Sequence, residues 1–382
     1  MIGRRHQVAL ALTALLAAAA ACQNQMRHES SASPGRPAPP PVVRDFTLVA
    51  TGDVLPHASV IERAGFDAGG RGYDFRPMLA GAEPVVRRAD VALCHLETVY
   101  GADRGFTDFK APPQLAAGLA ATGYDGCSTA SSHVLDDGAP GLRRTLDTMD
   151  RAGLRHSGTA RTEAEAHSVT MLQAGPARVA HLSYTYGTDG HPMPAGQPWA
   201  VNLIDADRMV SDARAARLAG ADVVVVSVRW GTEWEEAPDG TQLELARRLT
   251  ASTTNGRPDI DLILGSHAHV PQAYEKVNGT WVVYGMGDQV AGEMYNRRGV
   301  QDPRGNESTV GRFTFTAPAN PGDRWQVTRA EFVPQMYDLD AGRVLDLGRA
   351  IAGGAELQGV RDRIRDVVLS RGAAADGLVM GD

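Results

Sequence analysis

From Phe46 onward, short β-rich runs of apolar residues alternate with stretches of helical periodicity. The clearest strand candidates are 46–50, 91–94, 178–183, 222–228, 261–264 and 281–284. Val223 to Val226 is apolar without a break, as expected of a strand covered on both faces. Helical segments are predicted at 77–89, 113–122, 139–152, 207–219 and 241–250. Leu142, Leu146 and Met149 are spaced by four and then three, which puts them on one helix face. Alternation of this kind predicts a layered α/β domain. Past Gly311 the pattern changes. Phe313 and Phe315 alternate with polar residues, and 325–333 has mixed β character, which predicts antiparallel strands completing a sheet. The folded part is therefore expected over 45–340, with 341–382 as a C-terminal tail carrying one helix near 355–369.

The amino terminus obeys different rules. Arg4 and Arg5 precede a fourteen-residue apolar stretch, 8–21, too short to span a bilayer but suited to a secretory signal. Ala19, Ala20 and Ala21 lead directly into Cys22, an arrangement that resembles a bacterial lipobox. Residues 1–22 are thus expected to export the protein and anchor it to the membrane through a lipidated Cys22; the alternative is plain secretion. Residues 23–44, rich in Gln, Ser, Pro and Arg, have too little apolar content to fold and read as a tether. Over the whole 382 residues, 45 acidic groups against 38 basic ones give a net charge of -7, which argues against a nucleic-acid partner. Cys94 and Cys127 each close a strand-like run and either pair outside the cytoplasm or remain buried thiols. No C-x-x-C occurs, so a cysteine zinc site is not expected.

The informative residues come directly after the strands. Thr51-Gly52-Asp53 ends the first, and His95-Leu96-Glu97-Thr98 the second. Ser131-Ser132-His133 with Asp136-Asp137-Gly138, and Arg229-Trp230-Gly231-Thr232-Glu233, succeed two more. Gly265-Ser266-His267-Ala268-His269 and Gly285-Met286-Gly287-Asp288 close the series. Ligand crevices of open α/β sheets lie beyond the carboxyl ends of the strands. Carboxylates and imidazoles without thiolates suit Mn, Zn or Fe. A serine nucleophile at Ser131 or Ser132 is disfavoured because no G-x-S-x-G elbow exists.

In this order the motifs resemble the CapA family of capsule and poly-γ-glutamate synthesis proteins, which is similar in fold to the calcineurin-like metallophosphatases. The resemblance implies an α-β-β-α sandwich, a divalent metal, and an anionic polymer or phosphoester as substrate. It also implies a membrane synthase complex as a partner. Asp53, Glu97, His133, His267 and His269 are the expected metal ligands. Five positions depart from the family pattern: His95, Ser132 and Asp288 stand where it has Asn, and Arg229 and Ser266 where it has His. Arginine has no acceptor lone pair, so Arg229 is expected to orient an anionic substrate group, and His95 to transfer a proton. Ligands for one metal remain. The competing reading is a non-catalytic, polymer-binding or scaffold protein with a degraded metal site.

Overall fold

The computed structural model describes residues 45–102, 105–320 and 323–382. The signal, Cys22 and the tether lie outside the described residues.

Two sheets form the centre. The first contains strands β1 (Phe46–Val54), β2 (Val91–Leu96), β3 (Gly126–Ser128) and β4 (Arg155–Ser157), all parallel. The second is built from β5 (Thr170–Ala174), β6 (Ala177–Thr185), β7 (Val223–Arg229), β8 (Leu262–Ser266), β9 (Tyr274–Val277) and β10 (Thr280–Val283), in the order β9-β10-β8-β7-β6-β5. The chain then returns to the first sheet with β11 (Asp288–Val290), β12 (Glu307–Thr316), β13 (Gln326–Asp338), β14 (Arg343–Asp346) and β15 (Leu378–Met380). β12 and β13 pair antiparallel, as the alternation around Phe313 predicts.

Strand side chains alternate between faces, and the alternation sorts the core into layers. Leu48 and Ala50 of β1 share one cluster with Val223 and Val225 of β7, so the sheets pack face to face. Val49 points the other way, against helices α1 (Ala58–Asp67) and α2 (Gln114–Thr122) and Met149 of α3 (Gly138–Ala152). Val224 and Val226 face α4 (Ala206–Leu218) and α5 (Gly240–Thr250). The layers are α-β-β-α, as expected.

Two local expectations change. The helix expected at 77–89 is two short ones, Arg76–Leu79 and Glu83–Val86, because Pro77 and Pro84 each sit in a first turn, where the missing N–H costs nothing. Residues 341–382 also do more than carry the helix α6 (Gln358–Val368). β14 and β15 join the sheet on β13, and Ile364 and Val368 enter the inter-sheet core. Cys94 and Cys127 face each other across β2 and β3, with Cα atoms 4.4 Å apart, and form a disulfide. No described helix is long and apolar enough to cross a membrane.

Candidate metal centre

The strand ends do converge. Asp53 is still within β1, beside Asp288 of β11 on one side and His95 of β2 on the other. That proximity needs glycine: a Cβ on Gly52 would lie 1.9 Å from the Gly287 carbonyl oxygen. From the second sheet, Arg229 ends β7 and pairs in register with Ser266, the last residue of β8. The loop after β8 then turns sharply, with His267 at φ 100° and His269 at φ 60°. Trp234, at φ 67°, shares this left-handed geometry, which is rare for residues other than glycine and clusters at functional sites.

Ligand atoms of Asp53, Glu97, His269 and Asp288 all lie within 4.8 Å of one another, and all four residues are buried. Glu233, His267 and His269 form a second such group nearer the surface. Donors about 2.1 Å from one ion on opposite sides are about 4.2 Å apart, so either group has the span for a single cation. Four buried atoms here also find no hydrogen-bond partner among the described residues: Asp53 Oδ1, Glu97 Oε2, His95 Nε2 and His267 Nδ1. Buried polar atoms are seldom left so, and oxygen and imidazole nitrogen are what a divalent cation takes. The residues fit such an ion.

The partners already in place are specific. Asp53 Oδ2 accepts the His267 backbone N–H at 3.1 Å and Arg229 Nη1 at 3.4 Å. Arg229 Nη2 donates to Glu97 Oε1, and its Nε donates to Ser132 Oγ at 3.2 Å. His269 Nδ1 contacts Asp288 at 3.0 Å. Burial, with repulsion from Glu97 and Asp288, pushes the Asp53 carboxyl well above its usual range. Burial acts the same way on Glu97, but Arg229 and His269 hold that carboxyl well below the ordinary value. For His269, burial is outweighed by the carboxylates of Asp288 and Glu97, and its pKa rises to about 10. His267 is pushed down to about 2, first by burial and then by Arg229.

Three expectations change in detail. Arg229 does not reach toward a substrate: it is buried, and both nitrogens of its fork and its Nε face protein acceptors. His95 is also interior, with Nδ1 on Ser128 Oγ at 2.7 Å and a pKa lowered by burial to about 3, so it is neutral and absent from the cleft wall. His133 belongs to neither ligand group. Its Nδ1 contacts Asp136 at 2.9 Å, its Nε2 stands 3.9 Å from Glu97, and Phe109 stacks on the ring at 3.7 Å. Asp288 and Glu233, not among the ligands expected from the sequence, join the ligand groups instead. Asp288 was visible as a departure from Asn, and an added carboxylate beside Asp53 was the available signal.

The centre opens into a cleft of about 380 Å³, walled by His57, Phe109, His133, Glu233, Trp234 and His269 among others. A larger hollow of about 660 Å³ elsewhere contains none of the expected ligands, and Arg161 in it is tied to Asp147, Asp150 and Glu165.

Residues 47–293 match the family described as bacterial capsule synthesis protein PGA_cap. The chain belongs to this family. The capsule biosynthesis protein CapA of Bacillus anthracis is 25% identical over 179 residues, 46% of this chain and 42% of its own length. A probable polyglutamine synthesis accessory protein of Mycobacterium tuberculosis is 28% identical over 250 residues, 60% of this chain and 63% of its own. The chain thus spans less than two thirds of either relative. Among solved structures, a calcineurin-like phosphoesterase from Bacillus subtilis is similar with a TM-score of 0.44 at 13% identity, covering 77% of this chain and 91% of that one. A 5'-nucleotidase precursor from Thermus thermophilus gives 0.44 at 17% identity, covering 83% and 59%. Within the PGA_cap match, the ligand groups draw on segments from Asp53 to Asp288.

Proposed function

We propose that this chain is a lipid-anchored, extracytoplasmic protein of capsule or poly-γ-glutamate production, acting there as a metal-dependent hydrolase on an anionic polymer or phosphoester. The observation that carries the enzymatic part is the convergence of Asp53, Glu97, His269 and Asp288 around unpaired carboxylate oxygens. These four residues would hold Mn, Zn or Fe. A cation bound there supplies Lewis-acid polarisation of a phosphoryl or carbonyl oxygen and lowers the pKa of a bound water toward roughly 7.

The chain's own residues then divide the remaining work. Asp136 fixes the His133 ring through Nδ1 and Phe109 holds it flat, which leaves Nε2 to deliver a proton to a leaving group in the cleft. Trp234 and Phe109 wall the reacting centre. The test uses the full chain in a strain lacking the native copy. Asp53→Asn and His269→Ala are expected to lose bound metal and, with it, polymer output.

A second reading, a polymer-binding or scaffold component of a membrane synthase complex, is favoured by the interior position of Arg229, which offers the substrate no cation. Loss of metal with unchanged polymer output would select it and end the hydrolase proposal.

A further inference from the structure

We propose that Arg229 is a resident cation standing in for a second metal ion, so that the chain takes one divalent ion, held by Asp53, Glu97, His269 and Asp288. This rests on the metal-dependent reading above, and the experiment below separates the two.

Asp53 and Glu97 are both buried, and a buried carboxylate needs a counter-charge or a set of donors. Arg229 provides it from between them. It is 1% exposed, and it places Nη1 on Asp53, Nη2 on Glu97 and Nε on Ser132. A planar fork that bridges two carboxylates is what guanidinium does and ammonium does not. At 132 and 229 the family resemblance leads to the expectation of Asn and His, each with a lone pair to offer a metal, and Ser132 and Arg229 stand there instead.

Arg229 is selective among the carboxylate oxygens. It engages Asp53 Oδ2 and Glu97 Oε1, whereas Asp53 Oδ1 and Glu97 Oε2 have no hydrogen-bond partner among the described residues. Each carboxylate therefore gives one oxygen to the guanidinium and keeps the other, and both residues cluster with His269 and Asp288. An ion on the Arg229 side would meet a full positive charge at close range.

The group formed by Glu233, His267 and His269 does not add a second ion to the first. It draws on the same imidazole, and neutral imidazole ligates one metal at a time. Glu233 is also 3.8 Å from Arg297, which already balances its charge. The two groups are alternatives. One consequence is mechanical: the contacts of Arg229 with Asp53 and Glu97 need no ion, so the carboxylates are aimed before one arrives.

The experiment strips the full chain with a chelator, reloads it with Mn²⁺, removes excess, and counts manganese by mass spectrometry alongside its electron paramagnetic resonance spectrum. The wild type is expected to hold one Mn²⁺ per chain with the hyperfine pattern of an isolated ion. Arg229→His is expected to hold two and to show a spin-coupled spectrum. Two ions in the wild type overturn the role of Arg229 and leave the hydrolase reading standing; no bound ion overturns both. A folded Arg229→His, checked by circular dichroism, that stays at one ion also overturns it. Should that variant not fold, the wild-type count decides.

Discussion

His181 of β6 shows how one buried residue ties this protein to pH. Its Nε2 lies 2.9 Å from Ser227 Oγ, on the strand face that includes Val179 of the inter-sheet core. Burial lowers its pKa from 6.5 to about 4. The unfolded chain therefore binds a proton that the folded chain refuses between those values, and stability falls as pH drops through that window. It is present in full above the unfolded value. At about 1.4 kcal/mol per unit, the acid-side loss is on the order of 3 kcal/mol. In His181→Gln, urea unfolding midpoints compared at several pH values from neutral to mildly acidic should fall less steeply than in the wild type. Equal slopes would contradict this. At the same scale, Asp53, Glu97, His267 and His269 were legible as candidate ligands because a short motif at a strand end advertises its residue types. The inward turn of Arg229 was not. Whether a guanidinium faces solvent or two buried acids depends on the opposite sheet, about which its own neighbours say nothing.

Strands and turns are held to narrower tolerances than the motifs suggest. Gly52 lets β1 pass the Gly287 carbonyl, and Asp53 N then donates to that oxygen at 2.9 Å. Gly52→Ala should cost about 3 kcal/mol or more, at the upper end for overpacking because the obstacle is backbone. It should also loosen metal binding, since Asp53 moves with it. Gly359 in α6 is the counterpart: it is exposed, and a methyl group added there would meet nothing within 4 Å. There Gly→Ala should stabilise by about 0.5 kcal/mol through helix propensity. Thermal melts of both variants, with manganese counted for the first, check the contrast. The long inner strands were readable from apolar runs, and α3 from the spacing of Leu142, Leu146 and Met149; the structure adds a capping box between Asp239 and Gln242 at the start of α5. The helix expected at 77–89 is divided because the backbone at Pro84 has no N–H to carry one helix through.

For the molecule as a whole, a layered α/β domain could be anticipated from the alternation between strand and helix, whereas the α-β-β-α order followed from the family resemblance. The contribution of 341–382 could not be anticipated, because β14 and β15 are short and their pairing with β13 is set by distant residues. Cellular placement belongs to this scale too. If Cys22 carries the lipid, Cys22→Ser should move the protein from the membrane fraction to the soluble extracytoplasmic fraction, read by immunoblot of fractionated cells. Retention in the membrane fraction would rule out that anchor.

The left-handed backbone at Trp234, His267 and His269 sets heat tolerance against aim. Each such residue ties up on the order of 1–3 kcal/mol, a sizeable share of the margin by which domains stay folded. Directed evolution for thermostability alone would be drawn to glycine at these positions. It would return a sturdier chain with a blunted centre, so any such campaign should hold 234, 267 and 269 fixed.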